Sequence, residues 1–214
     1  MSLHFDTSDP AERVQGIEAA ASAARRGDLV VLPTDTVYGV GCDAFNAAGV
    51  ARLLAAKGRG RDMPVPVLVG SPDTIEGLAY GLTKAARDLV EAFWPGALTV
   101  VVRHQPSLAW DLGDAQGTVA LRMPLHPVAL ELLAVVGPMA VSSANRSGSA
   151  PATTYAEAEA QLGDSVAVYL DAGTSGEAVP SSIVDVSGPV PRLLRLGAVD
   201  LDTLRSVCPD LLAD

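Results

Sequence analysis

Short apolar runs alternate along the chain with longer stretches in which apolar positions recur every three to four residues. The first pattern is typical of buried strands, and the second is typical of helices with one face toward a core. Asp9 can cap the first helical stretch and Gly27 can end it, because these residue types favour those positions. With cap residues included, the patterns predict helices over 10–26, 46–57, 83–93, 127–136, 154–162 and 199–208, and strands over 28–33, 65–69, 98–103, 118–123, 139–143, 166–171 and 182–186.

Strands that alternate with helices predict an α/β fold in which helices cover a mixed sheet. The chain has 214 residues and shows no repeat, linker or change in composition, so we expect one domain over 1–214. The apolar fraction of 49% and the charged fraction of 19% exclude a disordered protein. His4 is expected to lie in an N-terminal tail, and the glycine- and serine-rich segment 173–182 is predicted to be a mobile loop.

The charge balance is acidic, with 25 acidic and 15 basic residues and a net charge of -10. Such a surface repels phosphate backbones, so general tight binding to nucleic acid is disfavoured. The N-terminus lacks the pattern of a secretion signal, and no apolar run approaches the ~20 residues that span a membrane. We therefore expect a cytoplasmic protein with no membrane contact. Cys42 and Cys208 belong to no Cys/His cluster, so no metal ligand is predicted.

Two polar segments follow predicted elements where a ligand could bind. The turn PTDTVYG at 33–39 comes at the end of a buried strand, and open α/β sheets bind ligands beyond the carboxyl ends of their strands. The segment KGRGRD at 57–62 carries three cations in an acidic chain, which favours an anion site because guanidinium and ammonium groups bind phosphate. The alternatives are an ordinary polar turn and a helix C-terminus complemented by cations.

Two further segments add hydroxyl and amide groups. SSANRSG at 142–148 and PSSIVDV at 180–186 adjoin predicted strands. Arg122 and Arg195 stand in apolar surroundings, where an arginine usually has a paired anion or a ligand. A structural salt bridge is an equal alternative for each arginine. The sequence GVGCDA at 39–44 fits a dinucleotide-binding pattern, but it is short and misplaced relative to the preceding strand.

Taken in this order, the segments resemble the YrdC family over about residues 28–198. The family implies an α/β fold, an open twisted mixed sheet flanked by helices around a basic cavity. It also implies synthesis of threonylcarbamoyl-AMP from L-threonine, bicarbonate and ATP, with release of pyrophosphate. The resemblance is carried by the blocks PTDTVYGVGCDAF, AKGRGRDMPVPVLV, FWPGALTVVV, TVALRMPLHP, VSSANRSG, SSIVDV and LLRLGAV.

The resemblance also implies partners and site residues. Mg²⁺ would arrive with ATP, no cofactor would be permanently bound, and the product would pass to downstream tRNA threonylcarbamoyltransferase proteins. The catalytic residues implied are Lys57 and Arg59. The ATP-binding residues implied are Lys57, Arg59, Arg61, Thr118, Asn145, Thr153 and Arg195. The threonine-binding residues implied are Thr34, Arg122, Ser143 and Ser181.

The chain departs from the family pattern at three positions. Gly60 replaces a proline, which would make the segment after Lys57 more mobile, Met63 replaces a polar residue, and Ser182 replaces a threonine. Two other functions stay open at this stage. One is an RNA-binding module of the same fold, and the other is a related O-carbamoyltransferase domain. The role of Asp35 is also left open, between orienting a ligand and shaping its turn.

Overall fold

The computed structural model describes residues 1–176 and 178–213. The helices are α1 (Pro10–Arg26), α2 (Ala47–Lys57), α3 (Thr74–Leu78), α4 (Lys84–Phe93), α5 (Pro127–Val136), α6 (Tyr155–Leu162) and α7 (Leu201–Val207). The strands are β1 (Leu3–Asp6), β2 (Leu29–Leu32), β3 (Gly39–Asp43), β4 (Val67–Leu68), β5 (Leu98–Arg103), β6 (Thr118–Arg122), β7 (Met139–Ser143), β8 (Val166–Asp171), β9 (Ser182–Asp185) and β10 (Arg192–Arg195).

The ten strands form one mixed sheet in the order β1-β8-β2-β3-β7-β4-β6-β5-β9-β10. β2 is buried on both faces, since Leu29 and Val31 belong to one core cluster and Val30 and Leu32 to the other. The second cluster contains residues of α1 and α5, and the first contains residues of α2, α3, α4, α6 and α7. The predicted α/β class with helices on a mixed sheet is confirmed.

Most predicted helices are confirmed together with their caps. Asp9 accepts hydrogen bonds from the N–H groups of Ala11 and Glu12, and Gly27 ends α1 with φ of 82°. Asn46, Thr83 and Thr154 cap α2, α4 and α6 in the same way. The last predicted helix is shorter, because Asp200 caps it and it begins at Leu201.

Several strand predictions were wrong. β1 occupies the predicted tail and pairs with β8, while β3 and β10 lie where no strand was expected. The predicted strand at 65–69 contracts to Val67–Leu68, since Pro66 has no N–H to donate. The glycines of GVGCDA lie inside β3 rather than in a turn after a strand, which removes the dinucleotide interpretation.

The 173–182 segment packs against the turn after β2, although its residue 177 lies outside the described residues. Ser175 is buried, and its N–H donates to the Thr153 carbonyl at 2.7 Å. A Cβ on Gly176 would lie 2.7 Å from the Asp35 carbonyl oxygen, so only glycine allows this close approach. The mobility of the segment stays a prediction. No helix within 1–176 or 178–213 combines the length and the apolar character needed to cross a bilayer.

Candidate functional site

Arg122, at the end of β6, is a buried arginine that the turn after β2 holds in place. Its Nη2 donates to Asp35 Oδ1 at 2.6 Å, its Nη1 donates to Thr36 Oγ1 at 2.9 Å, and its Nε donates to the Gly96 carbonyl at 2.9 Å. Three of the five guanidinium N–H groups are thus used, which leaves two for a ligand. Arg122 therefore does form the structural salt bridge that was the alternative expectation. The bridge uses only part of the guanidinium, and the remaining N–H groups can bind an anion.

Asp35 and Thr34 stabilise this turn. Asp35 Oδ1 also accepts the N–H of Leu125 at 2.9 Å, so the carboxylate joins the turn to the segment after β6. Thr34 is buried, and its Oγ1 donates to the Val37 carbonyl at 2.6 Å and accepts the Thr36 N–H at 3.2 Å. The structure thus gives Asp35 a definite contact, and it places Thr34 in the same turn.

Arg195 and Ser181 form a second part of the site. Arg195 donates to the Ser181 carbonyl from Nε at 3.0 Å and from Nη2 at 2.8 Å, and Nη2 also reaches Ser181 Oγ at 3.1 Å. Ser181 Oγ lies 2.8 Å from Thr99 Oγ1 on β5. Burial is the main cause that lowers the pKa of Arg122, and the positive charge of Arg195 lowers it further. The two guanidinium groups are therefore near enough for their charges to interact.

The register of the sheet places further arginines on the same face. Thr118, Ala120 and Arg122 share the side of β6 opposite the buried Val119 and Leu121. Through the register of β5, β9 and β10, this side also carries Arg103, Asp185, Arg192 and Arg195.

We call the side of β6, β5, β9 and β10 that carries Arg103, Arg122, Arg192 and Arg195 the arginine face. Among the described residues, these four strands give nothing to the core cluster under α1 and α5, so those helices leave the face uncovered. Four arginines and one acid in a chain of net charge -10 make a local attraction for anions.

Lys57 joins the end of α2 to the segment after β7. Its side chain is 2% exposed, and Nζ donates to the carbonyls of Ser143 and of Asn145, the latter at 2.7 Å. The Lys57 carbonyl in turn accepts the Ser147 N–H at 2.9 Å. Burial, and then the charge of Arg59, lower the pKa of Lys57 to about 8. The two sequence segments predicted to bind the nucleotide are thus in direct contact through Lys57.

Arg59 and Asn145 keep polar atoms unused at this junction. Arg59 Nη1 reaches Ser142 Oγ at 3.5 Å, and its buried Nε has no partner in the described part of the chain. Asn145 donates from Nδ2 to the carbonyls of Arg146 and Ser149, both at 2.8 Å, while its buried Oδ1 has no partner there. A buried polar atom without a partner is costly, and a ligand could reach these two buried atoms only if the junction rearranged on binding.

The structure places Arg61, Thr118 and Thr153 in contacts within the protein. Arg61 forms an exposed ion pair with Asp111. Thr118 Oγ1 donates to the Ala115 carbonyl at 2.8 Å and lines a cavity of about 240 Å³ beside Trp110. Thr153 donates to Glu157 Oε2 from its N–H at 2.7 Å and from Oγ1 at 3.0 Å.

The site residues that sequence reasoning missed are those that hold other site residues. Thr36 and Gly96 orient Arg122, and Thr99 contacts Ser181. Thr36 stands in the PTDT turn, where the alternation of hydroxyl and carboxyl groups was the available signal. Ser182 is fully buried and accepts the N–H groups of Gly197 and Val199, so its hydroxyl supports the backbone after β10.

No group of three or more His, Cys, Asp or Glu side chains suited to a metal ion occurs in the described portion of the chain. A cavity of about 370 Å³ lies between α3 and α4, lined by Ile75, Val90 and Trp94 among others. That cavity is on the side of the first core cluster and contains none of the predicted site residues.

Comparison with protein families gives one match over most of the chain. The model of the Sua5/yciO/yrdC family, described as "Telomere recombination", matches residues 22–197. A Mycobacterium tuberculosis protein is 60% identical over 207 residues, which are 97% of this chain and 95% of that protein. The Bacillus subtilis protein named threonylcarbamoyl-AMP synthase is 36% identical over 95% of this chain and 58% of its own length.

A solved structure also matches over the full length of the chain. Sua5 from P. abyssi in complex with L-threonine superposes with a TM-score of 0.91 and 30% identity. The chain spans 62% of the length of that protein. The open mixed sheet of this chain is therefore the architecture of a known threonine-binding relative.

Proposed function

Since the chain belongs to the Sua5/YciO/YrdC family, we propose that it is a threonylcarbamoyl-AMP synthase, an enzyme for threonylcarbamoyladenosine modification of tRNA. It combines L-threonine, bicarbonate and ATP into threonylcarbamoyl-AMP, pyrophosphate and water. The observation that carries this proposal is the buried Arg122, which keeps two guanidinium N–H groups for a ligand. The Arg195–Ser181 pair and the contact of Lys57 with the segment after β7 support it.

Arg122 supports binding of the threonine carboxylate. Its remaining N–H groups lie beside a turn that already fixes the guanidinium in one orientation, so little entropy is lost when a carboxylate binds. Thr34, Ser143 and Ser181 bring hydroxyl groups to the same amino acid. Ser143 suits this role because its side chain has no partner among the described residues, while its carbonyl is fixed by Lys57.

The ATP site is supported by the junction at Lys57. Arg59 and Asn145 offer unused polar atoms there, and Arg195 offers a cation on the arginine face. We also assign Thr118, Thr153 and Arg61 to ATP binding. In the structure, the contacts of these three residues are within the protein. Lys57 would act mainly by fixing the segment after β7, because both of its described bonds go to backbone carbonyls.

The reaction needs no nucleophile from the protein. The threonine amine attacks the carbon of bicarbonate and a C–O bond breaks with loss of water, which gives a carbamate; a carbamate oxygen then attacks the α-phosphate of ATP. Pyrophosphate leaves, and the arginines offset the charge on the phosphates as the bond breaks. Mg²⁺ is expected as part of the MgATP substrate and held mainly by phosphate oxygens.

Pyrophosphate release from MgATP tests this function. We expect release only when both L-threonine and bicarbonate are present, and we expect Arg59→Ala and Lys57→Ala to abolish it. Arg87→Ala and Lys84→Ala are matched controls, since both residues form exposed ion pairs on and around α4. A folded protein that binds ATP without threonine-dependent release would disprove the synthase.

The same assay separates the alternatives. Turnover of carbamoyl phosphate without L-threonine would favour an O-carbamoyltransferase, and salt-sensitive binding to tRNA without pyrophosphate release would favour an RNA-binding module. The product is proposed to pass to downstream tRNA threonylcarbamoyltransferase proteins, with only weak contact between this chain and tRNA itself.

A further inference from the structure

The 58–64 segment, which carries Arg59, has little support from secondary structure. Gly58 ends α2 with φ of 63°, and Gly60 adds a second residue of high backbone freedom. Within the segment, the Met63 N–H reaches the Gly60 carbonyl at 3.4 Å, which is a long hydrogen bond. The conformation of this segment therefore depends on contacts with other parts of the chain.

The 105–117 loop supplies those contacts at Arg61. Arg61 donates to Asp111 from Nη1 at 3.0 Å and from Nη2 at 2.7 Å, and its Nε lies 3.4 Å from Asp114 Oδ1. The Asp114 N–H also donates to the Arg61 carbonyl at 2.7 Å. Gly113 packs so closely that a Cβ there would lie 2.8 Å from the same carbonyl oxygen. Side chain and backbone of Arg61 are thus both held by one loop.

Arg59 is loosely held in comparison. Its guanidinium reaches Ser142 Oγ at the long distance of 3.5 Å, and its buried Nε has no partner among the residues that the structure describes. Arg59 is tied at its own N–H, which donates to the Leu54 carbonyl at 2.9 Å. The chain beyond Arg59 is fixed next at Arg61, two residues along. The backbone is therefore fixed at Arg59 itself and again at Arg61, and these two points determine where the Arg59 side chain lies.

We propose that Asp111 and Asp114 are positioning residues, which hold Arg61 and thereby fix Arg59 against the ATP phosphates. This inference rests on the proposed function, since it assigns Arg59 to ATP. It also gives Arg61 a role that needs no direct contact with the nucleotide.

The direction in which ATP affinity changes when Asp111 and Asp114 lose their charges separates this positioning role from a purely electrostatic one. Two carboxylates near a triphosphate repel it, so their removal would strengthen ATP binding if they acted only through their charge. If they act by holding Arg61, their removal loosens the 58–64 segment and weakens ATP binding, because Arg59 must then be ordered when the nucleotide binds. The same substitution thus changes affinity in opposite directions under the two explanations.

The test variant is the double substitution Asp111→Asn with Asp114→Asn. Its control is Glu76→Gln with Asp88→Asn, which also removes two negative charges from exposed ion pairs. Three quantities are measured for the full chain: the Kd of a non-hydrolysable ATP analogue with Mg²⁺, the KM values for ATP and L-threonine, and hydrogen exchange of residues 58–64.

For the test variant we expect the Kd and the KM for ATP to rise about fivefold, with faster exchange in 58–64 and an unchanged KM for L-threonine. The control should match the parent chain in all three. Equal or tighter nucleotide binding in the test variant would overturn the proposal, and so would faster exchange with unchanged affinity. A parent chain that binds the analogue but releases no pyrophosphate would refute the proposed function and leave the binding comparison valid.

Discussion

Substitution of Asp35 by asparagine removes the charge that pairs with Arg122 and keeps an oxygen in its place. Asp35 Oδ1 accepts from Arg122 Nη2 at 2.6 Å and from the Leu125 N–H at 2.9 Å. The side chains of Arg122 and Asp35 are only 9% and 16% exposed, so solvent screens this pair weakly. The asparagine oxygen can still accept both hydrogen bonds, and the loss is therefore mainly electrostatic.

The size of the effect follows from hydrogen-bond energetics. The hydrogen bond from the Leu125 N–H changes from a charged acceptor, at about 1.5–3 kcal/mol, to a neutral one, at about 0.5–1.5, and Arg122 loses its counter-charge, so Asp35→Asn should lower the free energy of unfolding by about 1–2 kcal/mol. Asp35→Ala also leaves the guanidinium unpaired, which costs about 3–5 kcal/mol at a fully buried site and somewhat less here. At about 2–4 °C per kcal/mol for a chain of this size, the asparagine variant should lose roughly 2–8 °C in Tm.

The functional effect should be confined to L-threonine. Arg122 Nη2 keeps a hydrogen bond to the asparagine oxygen, but this neutral acceptor holds the guanidinium less firmly, so the N–H groups left for a carboxylate are less well fixed. We expect the KM for L-threonine to rise about tenfold, with the KM for ATP unchanged.

Calorimetry and steady-state pyrophosphate release measure these two effects. Asp28→Asn is the matched control, since Asp28 pairs with Arg26 and Arg52 in an exposed position and its loss should change stability by no more than about 0.5 kcal/mol. The reasoning fails if Asp35→Asn keeps both the Tm and the threonine KM of the parent chain, or if the KM for ATP rises instead.

Two further predictions concern Lys57 and Gly41. The chain has two lysines, so selective ¹³C labelling of lysine gives one signal for Lys57 and one for the exposed Lys84. The Lys57 signal should titrate with a midpoint of about 8. Coincident titration of the two signals would contradict the burial of Lys57. The folded chain releases the Lys57 proton near pH 8, whereas the unfolded chain keeps it up to the ordinary pKa of 10.5. The free energy of unfolding should therefore rise with pH between about 8 and 10.5, and this gain is lost as the pH falls back to 8. Gly41→Ala should cost at least about 2 kcal/mol in urea unfolding, because a Cβ would lie 2.3 Å from the Ala140 carbonyl oxygen. Gly77→Ala in α3, where a Cβ meets open space, should be neutral or stabilising, and equal stability of the two variants would refute the packing argument.

The sequence predicts elements well where the signal is local. Asp9 and Gly27 delimit α1 because a carboxylate caps N–H groups and glycine adopts a positive φ, and both effects act within a few residues. β3 was missed because Gly39 and Gly41 are poor strand formers. Their small size is required by Val141 on the neighbouring strand, which is a tertiary contact that no local pattern records.

The candidate site divides in the same way. Lys57, Arg122 and Ser181 could be named as candidates because cations and hydroxyls are unusual in their apolar or acidic surroundings. Their partners could not be found, since Arg122 meets Asp35 across 87 positions of the chain and Lys57 meets Asn145 across 88. Which residue holds which depends on the order of strands in the sheet, and that order is not readable from the spacing of motifs.

The position of β8 in the sheet determines when the protein can fold during its synthesis. β8 pairs with both β1 and β2, yet 134 residues separate Leu32 from Val166. At a synthesis rate of about 5–20 residues per second, β8 is completed roughly 7–27 s after β2. During this time the edge of β2 that later pairs with β8 is unpaired and can pair with another chain. All four residues of β2 are buried in the finished fold, so this edge is apolar as well as unpaired. Nascent chains that end before β8 should therefore need protection from association. The N-terminal half can complete its part of the sheet only after β8 has been synthesised.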